Sequence, residues 1–203
     1  MKKLWTLICI IAFTSAVSAQ QNIQPIPIGS SIPMAGTKMK STDGKQYSIK
    51  DRVGKNGVLV IFSCNTCPYV VRYQARTREL LREAAANGFG TIIINSNEGM
   101  RSDEDSYEAM VAYASNQGYQ SVPYVVDRNS EVADAFGATR TPELFLFDAT
   151  GKLVYHGAID DNHIADKAER KHATLAMEEV KAGKAVTVKE TRSVGCTIKR
   201  PKA

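Results

Sequence analysis

Apolar and polar positions along the chain alternate between short apolar runs and longer amphipathic stretches. Residues 57–62 and 91–94 are continuous apolar runs rich in branched side chains, which is typical of strands buried on both faces. Between them, residues 69–86 place apolar side chains at helical spacing among arginines. Asn87-Gly88 is a common helix ending. The pattern therefore predicts strand, helix and strand in this order.

The remaining pattern adds strands and helices on both sides of this unit. Asp43-Gly44 predicts a hairpin turn within residues 39–49. Further elements are predicted downstream: a helix beginning at Ser102 and ending near Gly118, a strand over 122–126, a short helix over 131–136, a hairpin of 143–148 with 152–156, a long helix from about 162 to 182 capped by Asp161 or Asn162, and an edge strand over 186–192 before a loose end. Together they predict an α/β sandwich: a mixed central β-sheet flanked by helices, with an N-terminal β-hairpin extension.

The N-terminus has the pattern of an export signal. Lys2 and Lys3 precede a short apolar run, and small residues lead to Ala19, so cleavage is expected after Ala19. The alternative is an uncleaved membrane anchor, but the run is short for a permanent span. We therefore expect a periplasmic or secreted protein in four parts: a signal peptide (1–19), an extended lead-in (20–33), one domain (34–185), and a C-terminal strand with a basic tail (186–203).

Charge and cysteine count narrow the function classes. Without the signal peptide, the chain has 24 basic and 21 acidic residues, and this positive excess is too small to indicate a nucleic-acid partner. Processing leaves Cys64, Cys67 and Cys196, an odd number in an oxidising compartment. That count favours a redox pair plus one further thiol over a disulfide-stapled small fold.

The motif Cys64-Asn65-Thr66-Cys67 carries the candidate chemistry. A helix N-terminus presents free N–H groups and partial positive charge, and both favour a thiolate. We expect Cys64 to be the exposed nucleophile and Cys67 to face inward and resolve the mixed disulfide. Pro68 allows two local geometries: a helix that starts at Pro68, or the favoured distorted first turn that keeps both sulfurs at the helix end.

A second motif makes a resemblance specific. A buried strand, Cys-x-x-Cys and a helix, followed about 75 residues later by Thr141-Pro142 and another apolar strand, resemble thioredoxin. The resemblance implies that Pro142 is cis and lies beside the dithiol. It also implies that the backbone of Thr141 binds the incoming substrate chain.

A narrower resemblance covers residues 28 to about 200. The chain is similar to exported thioredoxin-like proteins of the alkyl hydroperoxide reductase/thiol-specific antioxidant (AhpC/TSA, redoxin) superfamily. The motifs are 28–30, 43–49, 64–70, 94–97, 105–107, 147–152 and 194–199. The resemblance implies a thiol–disulfide oxidoreductase that needs no cofactor. It would exchange disulfides with exported proteins and with an unidentified electron donor or acceptor.

The sequence leaves the roles of two residues, Glu143 and Cys196, open. Thioredoxin has a buried acid in the strand before its dithiol, and residues 57–63 contain none. Glu143, next to Pro142, is a candidate proton relay, although a solvent-facing strand residue is the favoured interpretation. Cys196 is a candidate accessory thiol, with simple packing or a third redox centre as alternatives.

Two other functions remain as alternatives. A peroxiredoxin-like thiol peroxidase would have Pro-x-x-x-Thr-x-x-Cys, but the threonine position holds Ile61 before Cys64, and Cys64 before Cys67. A Sco-like copper chaperone would have a motif one residue longer and a distant histidine ligand, for which His163 or His156 is the candidate. A surface histidine is the favoured interpretation, and we expect no metal site.

Overall fold

The computed structural model describes residues 23–201, so the predicted signal peptide lies outside the described residues. The strands are β1 (Met39–Lys40), β2 (Gln46–Tyr47), β3 (Gly57–Ser63), β4 (Phe89–Asn95), β5 (Tyr124–Val126), β6 (Arg140–Thr141), β7 (Glu143–Asp148), β8 (Leu153–Gly157) and β9 (Cys196–Thr197). The helices are α1 (Pro68–Ala86), α2 (Tyr107–Gln117), α3 (Glu131–Phe136) and α4 (His172–Lys181). Within the described part, no helix is long and apolar enough to cross a membrane.

Five strands form a mixed sheet in the order β5-β4-β3-β7-β8. β3, β4 and β5 run parallel, whereas β7 is antiparallel to both β3 and β8. In this register Ser63 lies opposite Asn95, and Phe62 lies opposite Glu143. The residues that follow β3, follow β4 and precede β7 therefore meet at one edge of the sheet.

Side chains of the central strand alternate between two apolar layers. Leu59 and Ile61 pack with Met177 of α4, while Val60 and Phe62 lie on the other face with the α3 layer. Burying one such side chain stabilises the fold by roughly 1.5–3 kcal/mol. The predicted α/β sandwich with a mixed central sheet is confirmed.

The N-terminal hairpin forms where Asp43-Gly44 predicts it. β1 and β2 pair with Met39 opposite Tyr47. Gly44 has a φ of +82°, which glycine adopts without strain. The Asp43 carboxylate accepts hydrogen bonds from the backbone N–H of Lys45 at 3.1 Å and from the Tyr47 hydroxyl at 2.7 Å, which fixes the turn.

Helix α2 begins later than its acidic lead-in predicts. Its cap is Ser106, whose hydroxyl accepts a hydrogen bond from the Ala109 N–H at 3.2 Å, so the prediction of Ser102 as the cap is wrong. The physical reason is Asp105. Its side chain is buried in a polar network instead of standing in the first helical turn.

Helix α4 is half as long as predicted, because residues 161–171 fold back on themselves. The Asp161 carboxylate accepts hydrogen bonds from the N–H groups of Glu169 at 3.0 Å and Arg170 at 3.2 Å. The Arg76 guanidinium of α1 binds the carbonyls of Asn162 and His163. These backbone carbonyls and amides therefore make their hydrogen bonds to side chains and not within a helix.

The C-terminal region also differs from its prediction. Residues 186–192 make only one strand-type bridge, His156 with Glu190, formed by the His156 N–H to the Lys189 carbonyl and the Thr191 N–H to the His156 carbonyl. The Thr191 hydroxyl then binds Ala158 and Tyr155. The end is not loose either, since Ile198 is buried. The short strand that does form is β9, which pairs with β6.

Candidate active site

The two motif cysteines lie at the junction of β3 and α1. Cys64 follows the last residue of β3, and Cys67 caps α1, which begins at Pro68. Cys67 has extended angles (φ −63°, ψ 122°), since a residue before proline avoids the helical region. The favoured distorted first turn is therefore wrong, and the helix starts at Pro68. The Cys67 carbonyl still accepts the first helical hydrogen bond, from Val71 at 3.0 Å.

Both thiols are buried. Cys64 is 1% exposed and Cys67 is 3% exposed. Tyr69 of α1, Tyr113 of α2 and Cys196 of β9 pack against them. The prediction of an exposed Cys64 is wrong, because side chains from three separate elements cover the dithiol.

Thr141 and Pro142 lie directly against the dithiol, and the peptide bond between them is cis. The Cys64 sulfur lies 3.3 Å from the Thr141 hydroxyl. The Cys67 sulfur lies 3.1 Å from the Thr141 carbonyl oxygen and donates to it while it carries its proton. The cis geometry implied by the thioredoxin resemblance is confirmed.

The environment of Cys67 favours a thiolate. Its pKa is lowered to about 4, first because the Cys64 thiol donates a hydrogen bond to its sulfur. The Cys196 thiol and the backbone N–H groups of Val70 and Cys196 lower it further, whereas burial opposes them. A helix N-terminus is a favourable place for a thiolate.

The environment of Cys64 has the opposite effect. Its pKa is raised, first because its thiol donates to the Cys67 sulfur, then because of burial, and also because of the nearby Asp105 carboxylate. The two thiols are therefore coupled: the Cys64 thiol donates to the Cys67 sulfur, and the reduced pair holds one negative charge.

Asp105 is a buried carboxylate that the sequence analysis missed as a site residue. One oxygen accepts hydrogen bonds from the Asn65 N–H at 2.8 Å and the Asn95 amide at 2.7 Å. The other oxygen accepts from the Asn97 amide at 2.9 Å. These donors satisfy a charge that would otherwise be costly to bury. Asp105 thus fixes the backbone of the motif beside Cys64.

A tyrosine completes this network. The Tyr124 hydroxyl donates to the Asn65 side-chain oxygen at 2.8 Å and accepts from the Asn95 amide at 2.9 Å. Burial holds the pKa of Tyr124 well above its usual value. The available signal in the sequence was the polar run 95–97 directly after a buried strand.

Glu143 is buried, so the expectation of a solvent-facing residue is wrong. It is 2% exposed, and its carboxylate accepts from the backbone N–H groups of Thr139 at 2.8 Å and Arg140 at 2.9 Å. The other oxygen lies 2.7 Å from His156 Nε2. These contacts hold the loop before Pro142 and do not bring the carboxylate to either motif thiol.

Cys196 is brought to the dithiol by β9. Strand pairing places it opposite Thr141, and its thiol and backbone N–H both contact the Cys67 sulfur. Burial and the neighbouring Cys67 raise the pKa of Cys196 to about 11. All three cysteines of the described chain are free thiols.

The candidate copper ligands do not join the cysteines. His156 pairs with Glu143, and the His163 ring packs edge-to-face on Tyr69 with centroids 5.5 Å apart. Over residues 23–201, no group of three or more His, Cys, Asp or Glu side chains is placed to hold a metal ion.

Comparison with known proteins agrees with this architecture. A protein from Geobacillus kaustophilus of unknown function is 31% identical, with a TM-score of 0.79 over 87% of this chain and 94% of its own. A hypothetical protein from Sinorhizobium meliloti is 29% identical, with a TM-score of 0.78 over 89% of this chain and 98% of its own. A thiol-disulfide oxidoreductase from Bacteroides fragilis is 20% identical, with a TM-score of 0.52 over 63% of this chain and 89% of its own. The fold is thioredoxin-like.

The family follows from the sequence match. The model of the Redoxin family matches residues 27–172, so the chain belongs to the redoxin family. A search of curated proteins found no significant match. Family and fold together identify an oxidoreductase in general terms.

Proposed function

We propose that this protein is a thiol–disulfide oxidoreductase that exchanges disulfides with exported proteins through Cys64 and Cys67. The observation that carries the proposal is the contact of both sulfurs with Thr141, beside a cis proline and at the start of α1. A stabilised thiolate at Cys67 supplies the reactive group.

The exchange balances as a two-electron transfer. In the reducing direction, a dithiol sulfur attacks a partner disulfide, a mixed disulfide forms, and one partner sulfur leaves as a thiolate. The second dithiol sulfur then displaces the other partner sulfur, and the Cys64–Cys67 bond closes. The partner gains two electrons, and the proton of Cys64 passes to a leaving thiolate. The oxidising direction is the reverse sequence.

The reduced dithiol supplies one thiolate, because one of the two coupled thiols donates its proton toward the other sulfur. That thiolate attacks the partner first, and the other sulfur resolves the mixed disulfide. Stabilising the thiolate also stabilises the reduced form, which makes the disulfide more oxidising. We therefore favour transfer of disulfides to partner proteins over their reduction.

The substrate edge and the compartment belong to the same proposal. By the thioredoxin resemblance, Thr141 and Pro142 would position the partner chain, which would lie beside β9 because β9 pairs with Thr141. Glu143 would hold their loop instead of carrying a proton. Export rests on the N-terminal pattern of residues 1–19. The partners would be protein thiols or disulfides in the exported compartment.

Turnover of a protein disulfide tests the proposal. Wild type, Cys64→Ser and Cys67→Ser are compared in two assays: the reduction of insulin disulfides with dithiothreitol as the electron donor, and the oxidation of a reduced, unfolded ribonuclease with oxidised glutathione as the electron acceptor. We expect either substitution to lower turnover about a hundredfold, since each removes one of the two exchanging sulfurs. Val71→Ala, at a position 56% exposed on α1, is the matched control and keeps wild-type turnover. Equal turnover by wild type and both serine variants would reject the proposal.

A second candidate function is a peroxiredoxin-like thiol peroxidase, and the observation that favours it is the Cys67 thiolate. Such a thiolate can attack a peroxide oxygen to give a sulfenic acid and water, and Cys64 would then form the disulfide and release a second water. Because the peroxiredoxin threonine is missing, we expect slow peroxide consumption. Rapid consumption that depends on Cys67 would favour the peroxidase instead.

A further inference from the structure

The C-terminal strand occupies the edge of the protein to which the thioredoxin resemblance assigns the substrate chain. β9 pairs with β6 so that Cys196 lies opposite Thr141 and Thr197 opposite Arg140. The Ile198 N–H donates to the Thr139 carbonyl at 3.0 Å and extends the pairing. The strand edge before Pro142 is therefore already filled by the protein itself.

This segment is held by contacts on both sides of the cysteine. A Cβ on Gly195 would lie 2.2 Å from the Thr141 carbonyl oxygen, so glycine alone allows this approach. The Lys199 N–H donates to the Asn97 side chain at 2.9 Å, and the Arg200 guanidinium binds Asp134 at 2.6 Å. The position of Cys196 is thus specified by the fold.

Cys196 is also the accessible member of the three thiols. Cys64 and Cys67 are 1% and 3% exposed, whereas Cys196 is half-buried. Its thiol and its N–H contact Cys67. A bulky partner thiol or disulfide reaches this sulfur before it reaches the dithiol.

We propose that Cys196 is the entry thiol of the site: disulfides pass between the partner and the Cys64/Cys67 dithiol through a Cys67–Cys196 disulfide. The inference rests on the proposed function and names the sulfur that the partner contacts. In the oxidising direction, the Cys196 thiol loses its proton as its sulfur attacks the Cys67 sulfur, the Cys67–Cys196 bond forms, and Cys64 leaves and takes up that proton. This step is an isomerisation and transfers no net electrons.

The partner then reacts at the surface. A partner thiolate attacks Cys196, the Cys67–Cys196 bond breaks, and Cys67 leaves as a thiolate. A second partner thiolate attacks the partner sulfur of the mixed disulfide, so the partner disulfide forms and Cys196 is released. The partner loses two electrons and the protein gains two. The contacts that stabilise the Cys67 thiolate also make Cys67 a good leaving group.

Trapping in the full chain tests this route. The Cys67→Ser variant is reduced and treated with oxidised glutathione, and the mixed disulfide is located by tryptic mapping. Cys64 falls in peptide 56–72 and Cys196 in peptide 193–199. We expect about tenfold more glutathione on Cys196, since exchange depends on access. Glutathione mainly on Cys64, or equally on both, would overturn the inference.

The internal disulfide has a matched register control. Oxidised Cys64→Ser should link peptides 56–72 and 193–199 through Cys67 and Cys196. The double change Cys196→Ser with Thr197→Cys, added to Cys64→Ser, keeps the thiol number but moves the thiol one residue along β9. Neighbouring strand residues face opposite sides, so this variant should link about tenfold less. Equal linking in both would contradict the assigned contact.

Failure of this inference differs from failure of the proposed function. If wild type exchanges disulfides and Cys196→Ser exchanges them at the same rate, the dithiol acts directly and the Cys196 route is wrong. If wild type exchanges none, the proposed function itself fails. We expect Cys196→Ser to slow exchange with protein partners about tenfold, because access to the dithiol then depends on opening of the covering strand.

Discussion

Two buried carboxylates flank the dithiol region, and they act on different parts of it. Asp105 is fully buried and binds the Asn65 N–H inside the motif, and its charge contributes to the raised pKa of Cys64. Glu143 is almost as buried, but it binds the amides of Thr139 and Arg140. Asp105 therefore acts on the Cys64 side of the motif, whereas Glu143 shapes the loop that contains Thr141.

The comparison shows that closeness in sequence does not identify the acid that tunes a thiol. Glu143 adjoins the cis proline, yet its carboxylate faces His156. Asp105 lies about 40 residues from the motif along the chain, yet it reaches the motif through the edge where β3 and β4 end side by side. Proximity at the end of the sheet, and not adjacency in the chain, decides which carboxylate affects the pKa of the motif thiol.

The largest expected effect is the loss of stability on removing Asp105. Asp105→Ala leaves three buried N–H donors, from Asn65, Asn95 and Asn97, without their acceptor. Each unsatisfied donor costs about 1–3 kcal/mol, so we expect the free energy of unfolding to fall by about 3–5 kcal/mol. Urea unfolding of the reduced protein measures this. A loss below about 1 kcal/mol would show that the hydrogen bonds to Asp105 contribute little to the free energy of unfolding.

Removing Glu143 should cost less. Glu143→Ala leaves two backbone donors and the His156 ring without a partner, and we expect a loss of about 2–4 kcal/mol in the same assay. A loss equal to or above that of Asp105→Ala would reverse the ranking of the two acids.

The reduction potential separates the two acids more sharply than stability does. Asp105→Asn removes a negative charge beside the reduced dithiol, so the reduced form is stabilised and the potential should rise by about 30 mV, a tenfold change in the equilibrium constant. Glu143→Gln touches neither motif thiol, and we expect a change below about 10 mV. Redox titration against glutathione measures both. Equal changes of the reduction potential in the two variants would show that Asp105 does not act on the dithiol more strongly than Glu143 does.

The dependence of the potential on pH reports the charge at Cys67. Its pKa of about 4 lies below the ordinary value of 9.0, so above about pH 5 reduction of the disulfide takes up one proton, not two. The potential should therefore fall by about 30 mV per pH unit between about pH 5 and 8, instead of about 59 mV. A slope near 59 mV over this range would place the Cys67 pKa above it.

The lowered pKa of Cys67 also makes the stability of the reduced protein depend on pH, with a definite sign. The folded pKa of Cys67 is lower than the unfolded value, so its contribution to stability of the reduced protein is complete above about pH 9 and is lost as pH falls toward about 4. The oxidised protein lacks this contribution. Reduced-minus-oxidised stability should therefore increase with pH over this window, and Cys67→Ser should abolish the trend.

The parts of the fold that local pattern determines were predictable from the sequence. The apolar run of β3, the amphipathic α1 and the turn at Asp43-Gly44 carry their own signals, and the cis geometry at Pro142 followed from the thioredoxin resemblance. The start of α2 was not predictable in this way, because Ser102 and Ser106 are equivalent caps until Asp105 is known to be buried.

Long-range contacts account for the remaining differences. The loop 161–171 resembles a helix locally, but its carbonyls bind Arg76 and its amides bind Asp161. The burial of Cys64 and the position of Cys196 depend on a strand from the other end of the chain. The candidate dithiol was evident from its spacing, whereas its charge distribution and its covering strand required the tertiary structure.

The most direct test of the central claim is a glutathione redox titration of the wild-type chain, followed by intact mass and tryptic mapping. We expect one two-electron transition in which the chain loses two hydrogens and a disulfide forms between Cys64 and Cys67, within peptide 56–72. Free thiols at both positions across the whole range, or separate glutathione adducts with no internal disulfide, would contradict a redox-active dithiol.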